Sequence, residues 1–204
     1  MHLKEIGRGG FGIVYLYQEK VSGTKMAVKV AIRGNKQAYK SINDEIFVHR
    51  TLIKNAMTLL PKYIKDGFFD DCPYIMSEYA EYSIEEYLKL EEFPGKLSPR
   101  LVFKQMIDAV EQMHFAGFFH KDIKPDNFRI KDNRVILIDF GIAMNLYRDK
   151  NHVKRDRFGF EGTTFYGSIR ALQGYTLSRR DDIESVGYSF IYLLNPLVKD
   201  VPWV

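Results

Sequence analysis

The chain has 204 residues, 46% of them apolar and 27% charged, with a formal net charge of +4. This length supports one good core or two small ones, and the mild basic excess fits acidic or phosphorylated partners but is too small to argue for nucleic acid. A single cysteine, Cys72, excludes an internal disulfide framework and leans toward a reducing compartment. No apolar run is long enough to span a bilayer, and the opening MHLKEIG has no signal-peptide core.

Taken in chain order, the first third predicts strands. KEIGRGGFGIVYLYQ and TKMAVKVAI alternate β-prone residues with glycine turns, and Gly23-Thr24 marks the hairpin between them. Residues 39–55 predict a helix with Ile42, Ile46, Val48 and Leu52 loosely on one side. YIKDGFFDD and PYIMSEYA read as short strands joined by an acidic turn, and SIEEYLKLEEF as a short helix. The strongest helix signal follows, with Ser98 as cap, Pro99 in the first turn, apolar residues from Leu101 to Met113 at helical spacing, and Gly117 at its end. FFH and FRIKDNRVILIDF predict short strands around a loop, and SRRDDIESVGYSFIYLLN a mostly apolar helix capped by Ser178. A strand-rich part therefore precedes a helix-rich part, and a cleft between them is the default ligand site.

Four segments carry chemistry. In 7-GRGGFGIV-14, Gly7, Gly9 and Gly12 have G-x-G-x-x-G spacing, but a strand follows where a dinucleotide fold needs a helix. The segment is either a plain glycine hairpin or a turn that lays backbone amides over phosphates. In 27-AVKV-30, Lys29 sits either on a solvated face or buried against anions, because an ammonium buried alone is costly. Glu45 on the next helix is its candidate partner, with Asp44 one position off.

The third segment is 120-HKDIKPDN-127, with Lys124 between Asp122 and Asn127 and Pro125 stiffening the loop. The fourth is 135-VILIDFGIA-143, where Asp139 ends a strand and Phe140-Gly141 turns. Asp122 alone reads equally as a surface loop acid. In this order the segments supply a carboxylate to orient a hydroxyl and an ammonium to balance a transferring phosphoryl group. They also supply an amide oxygen and a second carboxylate for magnesium.

His2, His49, His114 and His152 have no metal-ligand spacing with Cys72 and read as ordinary surface or core histidines. The run 148-RDKNHVKRDR-157 is either a solvated segment or an acidic-peptide or phosphate contact. No aromatic stacking pattern accompanies it, so nucleic acid is not expected.

GRGGFGIV, AVKV, HKDIKPDN and IDFG resemble the eukaryotic protein kinase fold. The later segments 162-GTTFYGSIRALQG-174 and 178-SRRDDIESVGY-188 are similar to the casein kinase 1 family of Ser/Thr kinases, and the likeness runs over nearly the whole chain. The resemblance implies an α+β, bilobal fold with residues 1–204 as a partial kinase domain. Residues 1–78 would form a small antiparallel-sheet N-lobe with one main helix, and 79–204 a mostly helical C-lobe lacking its last helices. ATP and Mg2+ are the implied cofactors, and protein hydroxyls the acceptors, possibly in acidic substrates.

Residue by residue, the resemblance implies that Gly7, Gly9, Gly10 and Gly12 form a lid over the phosphates. Val14 and Ala27 belong to the same nucleotide site. Lys29 would contact the α- and β-phosphates and pair with Glu45. Asp122 would orient the acceptor hydroxyl, with Lys124 near the γ-phosphate, and Asn127 and Asp139 would be magnesium ligands. Thr163 would hydrogen-bond into the catalytic loop, Asp182 would brace that loop's backbone, and Glu78 to Ala80 would form the hinge facing adenine.

Three positions depart from the pattern. Lys121 stands where an arginine is usual and lacks its planar fork. Ser77, at the gatekeeper position, is small and predicts an open pocket behind adenine. Phe165 replaces an arginine that receives anionic substrate groups, which Lys154, Arg155 and Arg157 would substitute in part. The resemblance also implies further helices beyond 200-DVPWV-204. The chain is thus expected to be a fragment, or to need a partner over the Ser178–Leu194 helix. A rival reading, a nucleotide- or protein-binding module with little turnover, draws on that truncation and on Lys121; the intact Lys29, Asp122, Asn127 and Asp139 oppose it. A kinase of small molecules is disfavoured by Thr163 and by the long 143–162 segment. Cytoplasm or nucleus is the expected compartment.

Overall fold

The computed structural model describes residues 3–54, 57–90, 95–146 and 161–194. The glycine-punctuated first third folds as three consecutive antiparallel strands, β1 (Leu3–Arg8), β2 (Gly12–Gln18) and β3 (Lys25–Ala31). Gly23, at φ 70°, makes the predicted hairpin turn between β2 and β3, a conformation open to glycine because it has no Cβ. After helix α1 (Lys36–Ile53), the hairpin of β4 (Tyr63–Phe69) and β5 (Cys72–Glu78) joins them. The result is a five-stranded sheet in the order β1-β2-β3-β5-β4.

Helix α1 starts at Lys36 rather than at 39 because the Asn35 side chain accepts hydrogen bonds from the Gln37 and Ala38 N–H groups, both at 3.0 Å. Its buried stripe runs through Ala38, Ile42, Glu45, Ile46, His49 and Leu52. Ala38, Ile42 and Ile46 pack on Ala31 and Ile75 of the sheet. Three polar residues, Ser41, Glu45 and His49, therefore share the buried side of the helix with these apolar groups.

The remaining elements are mostly helical. Strand β6 (Tyr82–Ser83) leads into α2 (Ile84–Lys89), where Ser83 and Glu86 form a reciprocal capping box. Helix α3 (Pro99–Phe115) begins as the sequence predicts, with the Ser98 hydroxyl accepting from Leu101 N–H and Pro99 in the first turn. Its residues Val102, Met106, Ala109, Val110 and Met113 are fully buried. They form the main core with Phe128 and Ile130 of β8 (Phe128–Lys131) and Val135 and Leu137 of β9 (Arg134–Leu137). Val48 and Leu52 of α1 enter the same core, which joins the sheet-bearing part to the helical part.

Short strands β7 (Phe118–Phe119) and β10 (Met144–Asn145) pair with each other. Helix α4 (Ile169–Leu172) precedes α5 (Arg179–Leu194), whose Phe190 stacks on Phe103 of α3 with ring centroids 4.2 Å apart. The Ser178 cap takes a different form from the predicted one. Its N–H and hydroxyl both donate to Asp181 Oδ2, at 2.6 and 2.9 Å. Ile183, Ile191 and Leu194 of α5 are exposed. Among the described residues no helix is long and apolar enough to cross a membrane.

Candidate active site

Strand period and register build the upper wall of a cleft of about 760 Å³. On β3, Ala27 and Lys29 share one face, since alternate residues point the same way. Lys29 lies opposite Val14 of β2 and Ile75 of β5, and Ala27 opposite Ser77. All five line the cleft, as do Gly7, Gly9, Gly10 and Gly12 from the first turn. That turn is strand–glycine–strand, closed by Gly9 N–H donating to the Gly12 carbonyl at 2.9 Å, so the helix of a dinucleotide site is absent there. Glu78 and Ala80 border the cleft at the end of β5. The Glu78 carboxylate is bound by Lys131 at 3.0 Å and Arg134 at 3.2 Å, which ties the sheet to β8 and β9.

Of the two residue-44/45 candidates, Glu45 is the partner of Lys29. Its carboxylate lies 2.8 Å from the ammonium, whereas Asp44 pairs with Lys40 along the helix. Asp139 Oδ1 sits 2.6 Å from the same ammonium, on the other side of the cleft. Burial acts to lower the Lys29 pKa, but the carboxylates of Glu45 and Asp139 together raise it well above the usual lysine value. Removal from bulk water pushes the Asp139 carboxyl up; the Lys29 charge outweighs this and holds it below the usual range.

The lower wall is the loop after β7. Asp122 Oδ1 accepts from the Thr163 hydroxyl at 2.7 Å, and Oδ2 lies 2.8 Å from the Lys124 ammonium. Lys124 also donates to Thr163 Oγ1 at 3.0 Å, so the three side chains close a ring of contacts. Burial raises the Asp122 pKa, but the Lys124 and Thr163 hydrogen bonds lower it further, and the carboxylate stays ionised below the ordinary aspartate range. Asn127, in the 3₁₀ turn Pro125–Asn127, donates through Nδ2 to the Asp122 carbonyl at 2.8 Å. Its Oδ1 is thereby oriented away from that carbonyl.

Two residues that are not glycine hold left-handed backbone here, Lys121 at φ 73° and Asp139 at φ 67°. Such conformations cost on the order of 1–3 kcal/mol each and need support from their surroundings. For Lys121 the support is Asp182, buried at the start of α5, which accepts from the N–H groups of His120 at 2.8 Å and Lys121 at 3.0 Å. The same carboxylate meets His114 Nε2 at 2.8 Å. For Asp139 it is Lys29, together with Gly141 N–H. The Lys121 ammonium itself pairs with Glu161, so the charge at this departure from the usual arginine is engaged.

The structure brings Lys29, Glu45, Asp122, Lys124, Asn127, Asp139 and Thr163 to one region, through the cleft lining and the hydrogen bonds around Asp122. Phe165 packs its ring against Tyr166 and Tyr192, with centroids 4.9 and 5.9 Å away. Lys154, Arg155, Arg157 and the rest of the basic run lie outside the described residues. The histidines read as ordinary are more connected than their spacing suggested. His114 supports Asp182, and His49 is buried beside Phe140, ring centroids 5.1 Å apart. His120 Nε2 also lies 3.0 Å from the Ile138 carbonyl. Helical offsets of seven from Ile42 and three from Ile46 and Leu52 are the signal in the sequence that places His49 on the buried face.

No cluster of three or more His, Cys, Asp or Glu side chains able to hold a metal occurs among the described residues. Hard oxygen donors are nonetheless available. Asn127 and Asp139 both line the cleft, and Asp139 Oδ2 has no hydrogen-bond partner among the described residues. A few protein oxygens completed by phosphates and water is how Mg2+ is commonly held, so these residues fit that ion.

The protein kinase domain family matches residues 1–201 of the chain. Two curated relatives from Encephalitozoon cuniculi (strain GB-M1), each described as "Probable casein kinase I homolog", align over nearly all of it. One is 32% identical over 205 residues, covering 98% of this chain and 63% of the relative. The other is 31% identical over 211 residues, covering 98% of this chain and 66% of the relative. The chain thus spans a little under two thirds of the length of these relatives.

Proposed function

Because this chain belongs to the protein kinase domain family, we infer that it is a serine/threonine protein kinase of the casein kinase I type, dependent on ATP and Mg2+. The observation that carries this reading is the Asp122 carboxylate, held by Thr163 and Lys124 beside the cleft that also contains Lys29, Asn127 and Asp139. A binding module has no physical need for that set.

In this reading the glycine turn and Lys29 hold the phosphates of the donor, and Glu45 keeps the ammonium extended toward them. Asn127 and Asp139 would hold Mg2+, which when bound neutralises phosphate charge. Asp122, ionised across the physiological range, accepts the proton of a Ser or Thr hydroxyl as its oxygen bonds to the γ-phosphorus. The bond from that phosphorus to the bridging oxygen breaks, and ADP leaves. Lys124 balances charge on the transferring group, and Thr163 fixes the carboxylate's orientation. Most of the rate enhancement is then positioning and electrostatic stabilisation by groups already in place. Position 165 is Phe and supplies no cation for acidic substrate groups, so the acceptors in this reading are protein Ser/Thr hydroxyls without an acidic requirement.

The test is transfer of labelled phosphate from ATP and Mg2+ to casein and to Ser/Thr peptides by the 204-residue chain, beside its Asp122→Ala and Asp139→Ala variants. Transfer by the parent and loss in both variants supports the kinase reading. Binding of ATP by a folded chain without transfer supports the binding-module reading instead.

A further inference from the structure

The buried polar residues of α1 recur at four-residue spacing, Ser41, Glu45 and His49. Side chains four apart stack along one face of a helix, so the three form a single row. That row lies against the turn 139–141. His49, whose Nδ1 is buried without a hydrogen-bond partner, meets the Phe140 ring. Glu45 accepts a hydrogen bond from the Phe140 N–H. Ser41, 6% exposed, donates its hydroxyl to the Gly141 carbonyl at 2.9 Å, across 100 residues of sequence.

The fit at Gly141 is close. A Cβ added there would lie 2.5 Å from the Ser41 hydroxyl oxygen, so a side chain at 141 and this hydrogen bond exclude each other. Gly141 in turn reaches Asp139. Its N–H donates to Asp139 Oδ1 at 3.4 Å, and Lys29 holds the same oxygen at 2.6 Å. Both contacts thus fall on one carboxylate oxygen, and the other has no hydrogen-bond partner among the described residues. The left-handed backbone of Asp139 persists only where its surroundings hold it. Packing of the helix does not call for the Ser41 hydroxyl, because Ala38, Ile42 and Ile46 already seat α1 on the sheet. Ser41 is not part of the cleft lining either.

We propose that Ser41 is a positioning residue for the divalent cation. Through Gly141 it fixes the turn that presents the second Asp139 oxygen, and so it sets how tightly the cleft holds a metal–nucleotide complex. The role rests on the reading of Asn127 and Asp139 as magnesium ligands. Without the hydroxyl, the Gly141 carbonyl loses its partner and other orientations of the turn open. Apparent affinity for the metal complex then falls with the fraction of molecules whose turn remains competent. Metal-free nucleotide is held from the sheet side, by the glycine turn and Lys29, and does not depend on this contact.

The test is calorimetric titration of ADP into the whole chain, once with Mg2+ and once with EDTA, for the parent, Ser41→Ala and Ser41→Thr. Ser41→Ala is expected to weaken the magnesium complex about 3- to 10-fold relative to metal-free ADP. Ser41→Thr keeps the hydroxyl and should return the ratio of the two affinities to the parent's. Gly141→Ala displaces the same hydroxyl and should shift the ratio in the same direction. The double variant Ser41→Ala/Gly141→Ala should shift it no further than the larger single change, since both act on one contact. That cycle keeps the test decisive if threonine does not fit the site. An unchanged ratio in Ser41→Ala, or equal weakening of both forms of ADP, overturns the positioning role and leaves the kinase reading intact. A parent chain that binds ADP under neither condition overturns the kinase reading, and this role with it.

Discussion

The Asp182 carboxylate of α5 accepts hydrogen bonds from the backbone N–H groups of His120 and Lys121, at 2.8 and 3.0 Å. A side chain remote in sequence thus holds the left-handed turn that aims Asp122. Removing it leaves two N–H groups and His114 unpaired in a buried site. Asp182→Ala is expected to cost roughly 3 kcal/mol of stability, read by urea denaturation. Because the turn depends on this carboxylate for support, phosphate transfer should fall by more than unfolding alone accounts for.

The Lys29 ammonium separates catalysis from stability. Lys29→Met leaves Glu45 buried without its counter-charge, so both stability and transfer should drop, transfer by at least about 100-fold. In Lys29→Met/Glu45→Leu the more deeply buried of the two carboxylates that Lys29 pairs is gone as well, and the half-exposed Asp139 keeps access to water. Its melting temperature is expected to recover toward that of the parent while transfer does not. Differential scanning calorimetry and a transfer assay on the same samples check this.

For Asp122 the folded-state pKa is depressed below the unfolded value, so the stability it contributes is present above that unfolded value and lost as pH falls through the folded one. Activity should follow the same carboxylate, with the acidic limb of kcat/KM below the usual aspartate pKa of about 4. Thr163→Val removes one of the hydrogen bonds that lower it and should move that limb upward, a shift that pH–rate profiles resolve.

His49 acts in a different window. Burial, with the nearby Lys29 charge, lowers its folded-state pKa to about 3, against 6.5 for an imidazole in water. As pH falls below 6.5 the unfolded chain takes up a proton that the folded chain does not, and stability is lost toward pH 3 with a slope of up to about 1.4 kcal/mol per pH unit. His49→Leu should flatten this part of the stability–pH curve measured by denaturant titration.

Gly162 has φ 111°, and a Cβ there would lie 2.6 Å from the Lys121 carbonyl oxygen. Gly162→Ala must therefore displace either the Lys121 turn or Thr163, its neighbour. Transfer should fall at least about tenfold, in keeping with the sensitivity of positioned groups to small displacements. A smaller change would mean that the backbone yields freely at this point.

The strand, turn and helix order was legible because period-2 and helical patterns, glycine turns and the Ser98-Pro99 start agree with one another. The charged site was legible for a related reason. Lys29, Asp122, Asn127 and Asp139 sit in segments whose polar residues have no role in a core. What escaped the reading depends on tertiary placement. Asn35 as a cap shows only once the chain turns after β3, and Ser178 looks like a cap until Asp181 reaches back to it. His49 and His114 are single residues on the buried faces of amphipathic helices, and spacing cannot tell a filled niche from an unmet hydrogen bond.

Lys29, anchored in the sheet, touches Asp139, anchored below it, in a cleft that in the kinase reading also has to admit phosphate oxygens. The carboxylate is therefore a resident competitor for the ammonium. An incoming anion would have to bargain with a tenant already in place, and Asp139, if it held a divalent ion, would leave the lysine to the newcomer. In that reading, affinity for the bare anion and affinity for its metal complex would be set apart by one short contact inside the protein.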